Sequence, residues 1–310
     1  MIFPPSCHPL APTPHNRISI LEERAALIQG TRSFFISQGF LEVETPIRIP
    51  APAPEAHIEP ERAGDWYLQT SPELCMERLL AAGCSRIFQI CKCFRRHERG
   101  DLHLPEMTML EWYRAAADYR DLMSDCEGLL HSLENCGILH GTNQAIDLTP
   151  PWPRLTLHAA FERYAPISLD QALLDDCFEE VLVHDIEPHL GQKTPVFLYD
   201  YPASQASLSR LHPDNPALAE RFELYINGVE LANGFSELTD ASEQRRRFRI
   251  EQKIISSLGR QPGPMPDPFL ADLTRMPPAA GIALGIDRLV MLFTGASRID
   301  QVVAFSPEGL

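Results

Sequence analysis

The sequence predicts an α+β fold, an antiparallel sheet flanked by helices. Three observations predict it. Residues 86–114 and 221–238 each read as two strands joined by a turn. Residues 119–136 and 240–258 read as helices. A glycine-rich strand over 280–285 runs into a helix over 286–294. No internal repeat or linker divides the 310 residues. The expected organisation is a flexible arm over 1–15 and one domain over 16–310.

The elements follow in order. Ser19 and Glu22 have capping-box spacing, apolar residues recur from Ile20 to Phe35, and Gly39 stops the first helix. Phe40 to Pro46 is a short strand ended by proline, and 47–65, rich in proline and glycine, a loop. Ser71 caps a second helix with Pro72 in its first turn, stopping before Gly83. Strands over 86–95 and 106–114 enclose a charged, mobile tip, His97 to Pro105. Leu122, Cys126, Leu129, Leu130 and Leu133 give the helix over 119–136 its apolar stripe, and Gly137 closes it. Residues 150–190 are mostly helical, and 195–201 a buried strand.

Composition excludes several classes. An apolar fraction of 44% suits a soluble globular chain. A net charge of −15, 27 basic against 42 acidic residues, opposes bulk binding of nucleic acid. No apolar run reaches the ~20 residues of a membrane span, and the proline-broken start is no secretory signal. The eight cysteines form no CxxC pair and read as buried, reduced thiols of a cytoplasmic protein.

Asn227-Gly228 marks a two-residue hairpin turn. It pairs Tyr225 with Glu230 and Glu223 with Ala232, leaving Glu223, Tyr225 and Glu230 on one face and Leu224, Ile226, Val229 and Leu231 on the core face. Two neighbouring carboxylates suit either a solvated acidic face or a divalent cation such as Mg²⁺. Glu237 falls on the wrong face unless a bulge intervenes, and one is expected at Asn233-Gly234. On the 106–114 strand, Met109, Glu111 and Tyr113 share a face, and a carboxylate there needs a structural arginine or a cationic ligand. Arg95, Arg96, Arg99 and His103 make the preceding tip basic, suiting phosphate or a solvated turn. Gly281, Ala283 and Gly285 leave one strand face almost bare, for a flat ligand or a packed helix, with Arg288 at the following helix start. Arg245, Arg246, Arg247 and Arg249 lie among acidic neighbours and read as a solvated helical face, with docking of an acidic protein as the alternative.

Together these residues resemble the lysine-type class II aminoacyl-tRNA synthetase family. Its three motifs match Gly39 to Pro46, Phe94 to Tyr113 and Gly281 to Arg288, and its acidic segment matches Glu223, Glu230, Asn233 and Glu237. The pattern starts near residue 17, with no anticodon-binding barrel before it. The chain therefore resembles the free-standing branch that modifies elongation factor P. Thr70 to Glu73, Tyr201 to Leu208 and Ala283 look like that branch in particular.

The resemblance implies an ATP-dependent ligase. It would activate lysine or (R)-β-lysine as an adenylate and pass it to a lysine ε-amine of elongation factor P, without tRNA or membrane, as a cytoplasmic homodimer joined through Pro46 and the helix before it. It implies catalytic roles for Arg95 at the α-phosphate and Arg288 on adenine and triphosphate. ATP would also meet Arg96, His97, His103, Leu104, Met107, Leu231 and Gly285, with Mg²⁺ on Glu223 and Glu230. Glu111 and Glu237 would hold the side-chain ammonium beside Tyr113, Ser71 and Glu73 would orient the reacting end, and Asn233 would help bind the amino acid. Ala283 would narrow the floor in favour of β-lysine. His97, Leu104 and Met107 stand where the family has glutamate, asparagine and phenylalanine, so the pattern is weaker on the ATP side. Those departures are the only support for a silent, regulatory paralogue. A free amino-acid ligase acting on aspartate would want cationic groups where Glu111 and Glu237 stand.

Overall fold

The computed structural model describes residues 14–139 and 146–310. It opens with α1 (Pro14–Ser37), stopped by Gly39 at φ +78°. The helix starts ahead of the expected cap. Proline suits a first helical turn, and Ser19 lies inside, its hydroxyl 3.3 Å from Glu23. Of the expected arm, residues 1–13 lie outside the described residues. The strand expected over 40–46 shrinks to β1 (Leu41–Glu42). The expected loop holds a small sheet instead: β2 (Arg48–Ile49), β3 (Arg62–Ala63) and β4 (Trp66–Leu68), in the order β2-β4-β3. Arg48 sits 5.0 Å from the Trp66 ring and Arg62 5.3 Å from Tyr67. Such cross-strand cation–π pairs leave no hydropathy signal.

Next come α2 (Glu73–Ala81), β5 (Arg86–Phe94), β6 (Glu106–Ala115) and α3 (Tyr119–Asn135). The hairpin and α3 match the sequence expectation, and Asp118 with Asp121 forms a capping box at the start of α3. The stretch expected to be mostly helical opens with a strand, β7 (Arg154–Thr156), before α4 (Leu157–Tyr164), α5 (Leu169–Leu174) and α6 (Phe178–Val181). Then follow β8 (Val196–Pro202), β9 (Leu211–His212), β10 (Asn215–Ile226) and β11 (Val229–Ser236). The chain ends through α7 (Ala241–Ser257), the unforeseen α8 (Asp267–Leu273), β12 (Ala279–Gly285) and α9 (Ile286–Thr294).

Nine strands form one sheet in the order β1-β5-β6-β12-β11-β10-β8-β7, with β9 beside β10. Only β1–β5 and β7–β8 pair in parallel. Alternation divides its two faces. Leu110, Trp112, Phe222, Leu224, Ile282 and Leu284 point into the main core, beneath α1, α3 and α9. Met109, Glu111 and Tyr113 take the other face, which α2, α7 and α8 cover in part. A second apolar cluster packs α4–α6 on β8. Among the described residues no helix is long and apolar enough to cross a membrane.

The β10–β11 turn has Asn227 at φ 53° and Gly228 at φ 74°, the left-handed pair a tight hairpin requires. Ile226 pairs Val229 and Tyr225 pairs Glu230 as expected. Leu224 then faces Ala232 rather than Leu231, and Glu223 faces Asn233 rather than Ala232. The bulge is therefore at Leu231, not at Asn233-Gly234. Leu231 and Ala232 both join the core there, and that consecutive burial is what moves the bulge. The expected consequence stands: Asn233, Phe235 and Glu237 return to the face of Glu223.

Candidate functional site

The register sets a row across the open face. Glu111 of β6 pairs Ala283 of β12, Ala283 pairs Asn233 of β11, and Asn233 pairs Glu223 of β10. The adjacent row is Tyr113, Gly281 and Phe235. Between the rows and the segments above them is a cavity of about 260 Å³. Its walls include Ser71, Glu73, Glu111, Tyr113, Asn233 and Ala283 at one end, and Arg95, His103, Leu104, Met107, Glu230 and Arg288 at the other. Leu231 and Gly285 complete the latter end.

The first end is acidic, and among the described residues no arginine or lysine forms an ion pair with Glu73 or Glu111. Glu111 is fully buried. It accepts hydrogen bonds from the Ser71 hydroxyl at 2.7 Å and the Tyr113 hydroxyl at 2.8 Å. Ser71 Oγ also accepts the Glu73 N–H at 3.0 Å, so the expected cap is a turn feeding α2, which begins at Glu73. Burial pushes Glu111 up to about 7, against the pull of those hydroxyls. Glu237 is 1% exposed, and its Oε1 has no hydrogen-bond partner. Burial, then the charges of Glu77, Glu73 and Glu111, push it well above the usual carboxylate range. It lies beneath the cavity wall. A Cβ added to Gly281 would stand 2.2 Å from Tyr113 and 2.3 Å from Glu237 Oε1. Glycine is needed there so that ring and carboxylate can close over the strand. Among the described residues neither Glu111 nor Glu237 is neutralised by an arginine or lysine.

The second end is basic. The Arg95 guanidinium is 3.4 Å from the Thr70 carbonyl and 3.7 Å from Glu98. Arg288 donates to the Glu230 carbonyl at 2.6 Å and to its carboxylate at 3.1 Å, and touches His103. Burial and then the Arg288 charge lower His103. Burial opposes ionisation of Glu230, but Arg288 outweighs it and holds the carboxyl below its usual range. Glu223 is buried behind Glu230, not in the cavity wall. It accepts from Arg221 and from the Tyr225 hydroxyl, both at 2.7 Å. Two hard carboxylates on one sheet face fit a divalent cation, with Glu230 the accessible ligand and Glu223 already bonded on both oxygens.

Arg96 and His97 do not reach the cavity. Arg96 turns to Glu59 at 2.9 Å, and His97 has φ 66° in the turn. Arg99, expected in a mobile tip, is pinned to Asp300 and Glu308, both at 2.9 Å or less. Arg245 pairs Asp267 and Arg246 pairs Glu243, in keeping with a solvated face, but Arg247 departs from it: besides Glu243 it donates to the Ser207 and Ser209 carbonyls, both at 2.8 Å, and is largely covered. The thiol reading needs correction: Cys93 and Cys126 are buried, but Cys136 is exposed. Sequence reasoning missed Glu55, in the cavity wall within a proline-rich loop that offers no periodic signal. It also missed Glu77, whose four-residue spacing from Glu73 was a usable signal.

Residues 13–308 match the family of tRNA synthetases class II (D, K and N). The chain is 38% identical to the elongation factor P–(R)-β-lysine ligase of Klebsiella pneumoniae subsp. pneumoniae, over 97% of each chain. It is 38% identical to the protein of that name from Salmonella arizonae, over 95% of this chain and 97% of that one.

Proposed function

The chain belongs to the class II tRNA synthetase family (D, K and N), and we propose that it is an ATP-dependent ligase that joins (R)-β-lysine or lysine to elongation factor P. The observation that carries this reading is that Glu111 in the cavity wall and Glu237 beneath it are buried with no arginine or lysine ion pair among the described residues, while Arg95 and Arg288 line the same cavity. The relatives' names add the acceptor and the β-amino acid.

The amino-acid carboxylate attacks the α-phosphorus of ATP. A P–O bond forms, the bond to the β-phosphate oxygen breaks, and pyrophosphate leaves. Arg95 faces the charge that builds on the α-phosphate, and Arg288 holds the nucleotide. Met107 covers the adenine, a role its polarizable thioether suits. Glu111 and Glu237 hold the terminal ammonium, and Ser71 and Glu73 the ammonium nearer the carboxylate. Ala283, opposite Glu111 in register, narrows the floor in favour of β-lysine. Mg²⁺ held by Glu230 and Glu223 would neutralise phosphate charge. In the second step the ε-amine of an acceptor lysine attacks the acyl carbon. A C–N bond forms, the C–O bond to AMP breaks, and the amine loses a proton. No side-chain nucleophile is required; catalysis is positioning and charge stabilisation.

Residues 16–310 act as one catalytic unit. The protein works in the cytoplasm as a homodimer, a reading supported by exposed Ile36, Leu41 and Ile47 beside Pro46. A net charge of −15 disfavours tRNA as the acceptor.

The test is pyrophosphate exchange, followed by mass analysis of elongation factor P. Exchange that depends on lysine or β-lysine, and acceptor heavier by one lysyl group, are expected. Glu237→Gln should lower amino-acid-dependent exchange by about a hundredfold or more while ATP binding changes little, since it removes a charge meant for the ammonium. Binding of ATP and lysine without exchange would mean a silent paralogue, and equal loss of both substrates in the variant would remove Glu237 from its assigned role.

A further inference from the structure

Glu77 is absent from the roles above, yet it is one of the most buried carboxylates in the chain, 3% exposed. It stands one helical turn after Glu73 on α2. Carboxylate oxygens of Glu73, Glu77 and Glu237 lie within 4.8 Å of one another. Three buried carboxylates at that separation repel strongly unless cations or protons intervene. The orphaned Oε1 of Glu237, aimed at Gly281 in the cavity wall, is where the missing partner belongs. We propose that Glu77 is a specificity-determining residue, which with Glu73 and Glu237 makes the pocket select an amino acid carrying two ammonium groups.

The inference rests on the diamine reading of the cavity and deepens it. The carboxylates facing Glu77, with the Tyr113 phenol of β6 beside them, come from three elements. Glu73 stands on its own helix, Glu111 beside Tyr113 on β6, and Glu237 after β11. On α8, Asp272 is turned away and held by Arg78 at 2.7 Å. Four carboxylates, Glu73 and Glu111 in the cavity wall and Glu77 and Glu237 beside them, therefore share a ligand with two positive charges, so the surplus must be carried as protons. Burial first, then Glu111, pushes Glu77 up to about 8. Glu77 thus shares in the proton load of the free cluster near neutral pH, and part of that load is released when a diamine supplies the cations. A monoamine brings too little charge to do this, and that difference is the selectivity.

The test is calorimetric titration of the full chain, without ATP, using lysine, β-lysine or 1,5-diaminopentane at about pH 7.5 in two buffers of differing ionisation enthalpy. Binding by the native protein should release protons. Glu77→Gln should weaken diamine binding about tenfold, the equivalent of about 1.4 kcal/mol, and should reduce that release. Glu77→Asp, which keeps the charge, should recover part of both. Without ligand, Glu77→Gln should melt at or above the native temperature, because an amide need not hold on folding a proton that the unfolded chain releases. Binding within twofold of native in Glu77→Gln, equal loss in Glu77→Asp, or a lower melting temperature in Glu77→Gln would each overturn the proposal. Tight diamine binding by the native chain without pyrophosphate exchange would defeat the ligase reading alone, since Glu77 is judged on binding. Failure of the native chain to bind any diamine would defeat both.

Discussion

At the scale of single residues, charge pairing separates the two ends of the cavity. Glu230 and Glu223 each have an arginine, Arg288 and Arg221. Glu111, Glu237, Glu73 and Glu77 have none among the described residues. Desolvating a carboxylate is unfavourable unless a charge or protons compensate, so the unpaired set marks where a cation enters. Gly281 is what lets that set close. Gly281→Ala would drive a methyl into Tyr113 and Glu237. It should weaken lysine or β-lysine binding by about a hundredfold while leaving ATP binding near native, because the clash is confined to the acidic end. Separate titrations with amino acid and ATP check this, and an equal effect on both would contradict it. Much of this was legible. Period-two alternation alone puts Glu111 and Tyr113 on one strand face. Glu77 had its spacing from Glu73 as a clue, but a carboxylate on a helix reads as solvated until something is known to cover it.

At the scale of elements, the sheet aims side chains and the helices lock it. Arg24 of α1 reaches Asp287 of α9 at 2.6 Å, and Asp287 accepts the Thr108 N–H of β6 at 2.7 Å. This buried pair ties both helices to the strand that carries Glu111. Arg24→Met leaves Asp287 charged and unpaired, and should destabilise the fold by about 3–5 kcal/mol. Adding Asp287→Asn should restore part of that loss, because the amide oxygen can still accept from Thr108. Denaturant unfolding of the single and double variants reads both effects, and a single variant of native stability would contradict the coupling. The β10–β11 hairpin shows where element-level reading stops. Asn227-Gly228 specified the turn, and the need to return Glu237 to the site face demanded a bulge. Its place at Leu231 followed from the core accepting two successive residues, a fact of packing rather than of turn chemistry.

At the scale of the whole molecule, the raised carboxyls make stability depend on pH. Burial raises Glu77 to about 8 and Glu111 and Glu187 to about 7. The folded protein therefore retains protons that the unfolded chain releases above about pH 4.5. Fewer protons bound by the unfolded state means stability falls as pH rises, from about 4.5 up to about 8. The melting temperature of the free protein should drop between about pH 6 and pH 8.5, and saturating lysine or β-lysine should reduce the drop by supplying the missing cation. A flat or rising profile without ligand would show that these carboxyls ionise normally in the fold.

By itself the sequence determined the antiparallel hairpins, the glycine stops of the helices and the face on which each strand residue lies. These follow from turn chemistry, glycine stops and alternation, all written within a few residues of where they act. Tertiary structure alone decided which carboxylates were claimed by arginines and which were left to a ligand, where the bulge fell, that Glu55 lined the cavity and that Glu77 clustered with Glu73 and Glu237. Pairing and desolvation depend on distance and dielectric between segments far apart along the chain, and no local pattern carries them.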